Sequence, residues 1–256
     1  MLAEKRFDSH QGCADTRDLL EVEGLTKAFG GLMAVDGLSF HVKKGEIFGM
    51  IGPNGSGKTV TFECLSGFYR PTKGKIWFKG KRIDGLKPHQ ILGLGLARTF
   101  QALELLPDFT VFDSLVLAAL HALPLHRARE KASELLEYLL LSPIRDHLIT
   151  EITPPDQRIL ELGKVMACQA DTVLLDEVMA GLTDVEARRV LSAVTSLRAQ
   201  GVTFIVVEHN MEMLSQLCDR VMALHFGRQI AEGTPCDILR HKDVVEAYLG
   251  EEPSDA

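Results

Sequence analysis

From about residue 19 to residue 83, apolar positions fall in short runs that alternate with polar ones or stand together, which is the spacing of strands. Such runs predict strands at Leu19–Val22, Met33–Val42, Gly45–Ile51 and Lys75–Ile83. The third run ends at a glycine-rich turn, and Gly57–Ser66 behind it has the spacing of a helix. From Val111 to about Ala170 the period lengthens to that of helices. Leu135, Leu136, Leu139 and Leu140 predict one apolar face on a helix that starts near Arg127. Two fully apolar strands follow, Thr172–Leu175 and Val202–Val207, with Ala187, Val190, Leu191, Val194 and Leu197 marking an amphipathic helix between them. Val221–His225 and Arg228–Ala231 flank Phe226-Gly227 as a hairpin.

Strands alternating with helices across short loops predict an α/β fold with a mostly parallel sheet. The N-terminal strands predict an antiparallel β region, and the helix-only stretch an inserted α-helical subdomain. Residues 1–18 are polar and aperiodic and read as a flexible tail. One domain would then cover 19–250, with the helical insert at about 102–168 and a second short tail at 251–256.

Composition narrows the field. Hydrophobic residues make up 46% and charged residues 25%, the balance of a folded, water-soluble chain. The 28 Lys and Arg against 35 Asp and Glu leave a net charge of −7, which argues against binding nucleic acid through its phosphates. The same charge directs any membrane contact through a protein partner rather than through anionic lipid. No apolar run approaches the roughly 20 residues of a spanning helix, and no secretory signal opens the sequence, so the expectation is a cytosolic chain. Cys13, Cys64, Cys168, Cys218 and Cys236 are an odd set without a Cys-x-x-Cys pair, and read as reduced thiols.

The chemistry concentrates in three places. Gly52-Pro53-Asn54-Gly55-Ser56-Gly57-Lys58-Thr59 fits G-x-x-x-x-G-K-[ST] and lies between a strand and a helix, the context that this pattern needs. Its glycines let backbone N–H groups curl around an anion, and the helix N-terminus adds the positive end of its dipole. Lys58 would reach the β- and γ-phosphates of a nucleotide, and the Thr59 hydroxyl would sit on Mg²⁺. Thr172–Glu177 is an apolar strand ending in two acids. Asp176 suits the metal and Glu177 a general base, although an acid pair there would also cap a following helix. His209 closes the strand Phe204–Glu208; a neutral imidazole can contact a γ-phosphate and orient water, and a structural histidine would serve there too.

Together these residues resemble the ATP-binding cassette ATPase family, over about Leu19 to Gly250. The resemblance implies the P-loop cassette fold, with ATP and Mg²⁺ as ligands. It makes Phe29 the aromatic that stacks on adenine, and Val60 a loop residue that offers its N–H to the α-phosphate. Gln101, in Arg98-Thr99-Phe100-Gln101, becomes the glutamine that touches Mg²⁺ and joins the core to the helical insert. Ala180-Gly181-Leu182-Thr183 becomes the loop that crosses a dimer interface. Within the family, the sequence is most similar to the ATPases of branched-chain or hydrophobic amino-acid importers. The similarity lies in Leu25–Leu32, Ser66–Thr72, Asp176–Leu182, Ile230–Pro235 and Glu246–Gly250. Urea importers carry a similar cassette.

The sequence departs from the family where the signature Leu-Ser-Gly-Gly-Gln would stand. There it has Ile152-Thr153-Pro154-Pro155-Asp156, followed by Gln157-Arg158. In the family this segment meets the nucleotide of the other cassette with a hydroxyl and a glycine N–H. Thr153 keeps a hydroxyl, whereas Pro155 has no N–H. Thr153 at the N-cap, prolines in the first turn and an acid at the third position make a good helix start, so the helix is expected to persist while its phosphate grip weakens. Val60 replaces a second threonine, and Val178 a common proline.

The resemblance therefore implies the ATP-hydrolysing subunit of an importer, for branched-chain amino acids, with urea or another small metabolite as the alternative. Its partners would be a second cassette subunit, with a heterodimer favoured, separate permease subunits and, indirectly, a substrate-binding protein. The place would be the cytoplasmic face of the plasma membrane. A soluble cassette acting on DNA or ribosomes usually has two cassettes or large insertions, for which 256 residues leave no room. A regulatory subunit that hardly hydrolyses fits the altered signature but not Glu177 and His209.

Overall fold

The computed structural model describes residues 18–99, 108–208 and 210–249. Strands β1 (Leu20–Phe29) and β2 (Leu32–Val42) pair antiparallel around Gly30-Gly31. β3 (Ile47–Ile51) runs into the glycine-rich loop and α1 (Lys58–Leu65) leaves it. Residues 75–83, expected as one strand, form most of a hairpin instead: β4 (Lys73–Phe78) turns at Lys79-Gly80 into β5 (Lys81–Arg82). Both turn residues are left-handed, with φ of 51° and 72°, the geometry that matches strand twist in a two-residue turn.

Next come α2 (Pro88–Leu92) and β6 (Leu96–Arg98), then α3 (Val111–Ala119), α4 (Leu125–Tyr138) and α5 (Pro154–Ala167). The apolar face expected on α4 needs one correction. Leu135, Leu136 and Leu139 are buried, but Leu140 is 82% exposed. The helix has already ended: Leu140 takes a φ of 58°, its N–H donates to the Glu137 carbonyl and the Leu141 N–H to the Leu136 carbonyl. That pair of bonds is a Schellman closure, which turns Leu140 outward and buries Leu141 in its place.

The chain continues through β7 (Thr172–Asp176), α6 (Asp184–Ala199), β8 (Thr203–Val207), α7 (Met211–Leu217), β9 (Arg220–His225), β10 (Arg228–Gly233), α8 (Pro235–Arg240) and α9 (Lys242–Leu249). Ala187, Val190, Leu191, Val194 and Leu197 are all buried on α6, as their spacing predicts. Phe226 and Gly227 form the hairpin turn between β9 and β10, with φ of 45° and 78°.

Among the described residues, the strands form an antiparallel sheet in the order β2-β1-β4-β5 and a larger sheet in the order β10-β9-β3-β8-β7-β6. In the larger sheet β9, β3, β8, β7 and β6 run parallel, and β10 is antiparallel at the edge. Every residue of β3, β7 and β8 is buried because both faces are covered. Ile47, Ile51, Val173, Leu175, Phe204 and Val206 face a core shared with α3 to α9. Their alternates Phe48, Met50, Leu174, Ile205 and Val207 face α1 and the antiparallel sheet. No helix among the described residues is long and apolar enough to cross a membrane.

Candidate functional site

Four neighbouring parallel strands, β3, β8, β7 and β6, end at one edge of the sheet. The glycine-rich loop, Glu208, the Asp176-Glu177 pair and Arg98 stand at their ends. Open α/β sheets gather ligands at this edge because the chain turns there from strand carboxyl ends into helix N-termini.

The loop has two positions that only glycine fills. Gly52 has a φ of 150°, and a Cβ on it would lie 2.2 Å from the Leu224 carbonyl oxygen and 2.6 Å from Ser56 Oγ. Gly57, with a φ of 102°, would put a Cβ 2.5 Å from the Ala34 carbonyl oxygen of β2. Hydrogen bonds hold the loop from several sides. Ser56 N–H donates to the Pro53 carbonyl at 3.1 Å, and Gly227 N–H to the Ser56 carbonyl at 3.0 Å. Gly52 N–H donates to Tyr248 Oη at 2.9 Å.

Lys58 is buried, and its ammonium donates to the carbonyls of Gly52 and Pro53 at 2.6 and 3.0 Å. A buried ammonium needs such oxygens, and a phosphate brought to the loop would offer stronger, charged ones. Thr59 is exposed on the first turn of α1, which carries no acidic side chain there to repel an anion. Val60 is half-buried and packs against the smaller core.

Asp176 ends β7 at 2% exposure, and Arg98 Nη2 meets its Oδ2 at 2.6 Å. Its N–H reaches Thr99 Oγ1 at 3.4 Å. Arg98 belongs to β6, a three-residue strand 78 positions earlier, and no local pattern marks it as a partner of Asp176. Glu177 leaves the extended path at once: its φ is 48° and its N–H donates to the Val207 carbonyl at 2.9 Å. A left-handed backbone at a non-glycine residue costs on the order of 1 kcal/mol, and here the bond to β8 holds it. Glu208, fully buried, accepts from the Met179 N–H at 2.9 Å and so fixes the loop behind Glu177. That loop, Ala180–Leu182, feeds α6, whose N-cap Thr183 exchanges side-chain and backbone hydrogen bonds with Glu186.

Phe29 closes β1, partly exposed, edge-on to Tyr69 with ring centres 5.0 Å apart. The Lys27 ammonium lies 4.8 Å from the Phe29 ring centre and 5.1 Å from that of Tyr69. Leu32, opposite Phe29 in register, stands two residues before Ala34, whose carbonyl touches Gly57. The aromatic pair is thus joined to the phosphate-type loop by about 7 Å of strand. Gln101 and His209 lie outside the described residues, as do Phe100 and most of residues 1–18 and 251–256.

The departed signature starts α5 as expected, with Thr153 at the N-cap. Its hydroxyl donates to Asp156 Oδ2 at 2.5 Å instead of capping an amide, and Asp156 Oδ1 accepts from Arg189 of α6 at 2.7 Å. Pro155 is buried. This segment is therefore built into the fold as a braced helix start.

Sequence comparison adds the following. The model of the family described as "ABC transporter" matches residues 35–180, more than half of the chain. One described as "Branched-chain amino acid ATP-binding cassette transporter" matches residues 228–253. The chain is 36% identical over 253 residues to the high-affinity branched-chain amino acid transport ATP-binding protein BraF of Pseudomonas aeruginosa, covering 92% of this chain and 99% of BraF. It is 35% identical to LivG of Escherichia coli, with the same coverage and the same description. Among solved structures, the ADP conformation of MJ1267, an ATP-binding cassette of an ABC transporter, superposes with a TM-score of 0.85. That match has 29% identity and covers 92% of this chain and all of MJ1267.

Proposed function

The chain belongs to the ATP-binding cassette transporter family, and from that premise we propose that it is the ATP-hydrolysing subunit of an importer of branched-chain amino acids. The observation that carries the substrate class is the 36% identity to BraF across 99% of that protein. The C-terminal match at 228–253 supports the same class.

In this reading the loop Gly52–Val60 cradles the phosphates, with Gly52, Pro53, Asn54, Gly55, Ser56 and Gly57 giving shape and N–H groups. Lys58 releases the carbonyls of Gly52 and Pro53 and turns its charge onto the β- and γ-phosphates. Phe29 carries the adenine, with Tyr69 braced behind it. Thr59 and Asp176 supply hard oxygen ligands, the type that Mg²⁺ takes while sharing its shell with phosphate oxygens. When bound, Mg²⁺ neutralises charge that develops on the transferred phosphoryl group. Gln101 would help to hold the metal, His209 would contact the γ-phosphate, and Glu177 would accept the proton of the attacking water.

Each ATP would lie between this chain and the signature of a second cassette. A homodimer would have two sites without the Pro155 N–H, so a heterodimer with an intact-signature partner is the better assembly. Permease subunits would hold the pair at the cytoplasmic face of the membrane, with a substrate-binding protein outside.

Glu177→Gln tests the chemistry. It should leave ATP binding intact and slow hydrolysis by roughly a hundredfold, as loss of a positioned base does. Hydrolysis at the wild-type rate, measured by phosphate release, would place the base elsewhere.

A further inference from the structure

The C-terminal helix α9 stands at the phosphate loop. Tyr248, near its end, comes from 196 residues beyond Gly52 and accepts the Gly52 N–H at 2.9 Å. Its ring packs against the larger core, so the hydroxyl is delivered from a fixed platform. Glu246 and Ala247 of the same helix form one wall of a cleft whose other wall is Pro53, Asn54, Gly55 and Ser56.

Gly52 is where the loop leaves β3, and its peptide groups are held at both ends. The N–H goes to Tyr248, and the carbonyl goes to the Lys58 ammonium at 2.6 Å. A Cβ at this position would meet the Leu224 carbonyl oxygen at 2.2 Å, so the Gly52 Cα lies tight against β9. Without Tyr248 Oη, the Gly52 N–H would be a buried donor without its partner, and the peptide would turn to find another. The Gly52 carbonyl belongs to the next peptide, joined to this one through the Gly52 Cα, so a shift here would be passed on to the Lys58 contact and to the loop N–H groups that follow. The segment carrying Tyr248 lies within 228–253, the part of the chain matched by a family model of its own.

We propose that Tyr248 is a positioning residue for nucleotide binding: through the Gly52 N–H, the C-terminal helix holds the phosphate loop in its binding shape. This inference rests on reading Gly52–Val60 as the phosphate loop. It assigns α9 a part in nucleotide affinity in addition to closing the edge of the fold.

Tyr248→Phe removes one oxygen and keeps the ring. It should weaken ADP and ATP binding by about fivefold each, the scale of one lost hydrogen bond. The KM for ATP should rise by the same factor, with a smaller fall in kcat. Hydrogen exchange at the Gly52 amide should speed up in the variant, while amides of α6 exchange as in wild type. A purely packing role would move none of these, because phenylalanine packs as tyrosine does. Lys58→Ala separates the failures. If it leaves nucleotide binding intact, the phosphate-loop assignment itself falls. If it abolishes binding while Tyr248→Phe binds ADP as wild type does and protects the Gly52 amide equally, the role of Tyr248 is overturned.

Discussion

Arg98 and Asp176 show what a single residue contributes here. They form a buried ion pair at 2.6 Å, with side chains 9% and 3% exposed. Such a pair adds little over apolar packing, but removing one partner leaves an uncompensated charge. Arg98→Met should therefore lower unfolding stability by about 3–5 kcal/mol, and Arg98→Met with Asp176→Asn should restore most of the loss. Urea unfolding of the two variants checks this; a double variant no more stable than the single one would mean that the pair is not what holds this edge. Burial acts on the thiols in a simpler way, pushing Cys64 up to about 11 and Cys218 up to about 12. At neutral pH both stay protonated and unreactive, in keeping with the reduced thiols that the sequence suggests.

At the scale of elements, local signals were legible where they were complete. The loop between β3 and α1, the helix start at Thr153 and the β9–β10 hairpin all follow from residues that neighbour one another in sequence. Leu140 was misplaced because an apolar residue continues the period of α4, whereas the Schellman closure that ends the helix is a backbone choice. That closure places a leucine where glycine is favoured, at a φ of 58°. Leu140→Gly should raise stability by about 1 kcal/mol, since the exposed side chain packs on little that would be lost. A lower melting temperature for the variant would show that Leu140 makes a contact worth more than its backbone strain. The short strand β6 escaped detection because three residues cannot display a period.

For the whole molecule, the deciding feature is the segment Thr153–Asp156. The Asp156 carboxylate takes both the Thr153 hydroxyl and Arg189, and Pro155 is buried without an N–H to give. A missing donor to a developing phosphate charge costs about 2.7–4 kcal/mol, or a factor of roughly 10²–10³ in rate. In a heterodimer this penalty falls on the site that uses the present signature. In the proposed heterodimer the competent site would use this chain's Lys58, Asp176 and Glu177. In the assembled transporter, Glu177→Gln should nearly stop ATP hydrolysis, while the equivalent change in the partner should cost far less. Equal losses, or a fully active homodimer of this chain, would refute unequal sites.

By itself the sequence determined the α/β alternation, the phosphate-type loop, the acids ending β7 and the helix start at Thr153. The last three are each encoded within a dozen or so consecutive residues, where hydrophobic period, glycine freedom and capping act directly on the backbone. Only the tertiary structure decided that Arg98 neutralises Asp176, that Glu208 fixes the loop behind Glu177, and that Tyr248 holds Gly52. Those contacts join residues 78, 29 and 196 positions apart. No local pattern encodes such a pairing, because it exists only once the strands have taken their order in the sheet and brought their ends to a common edge.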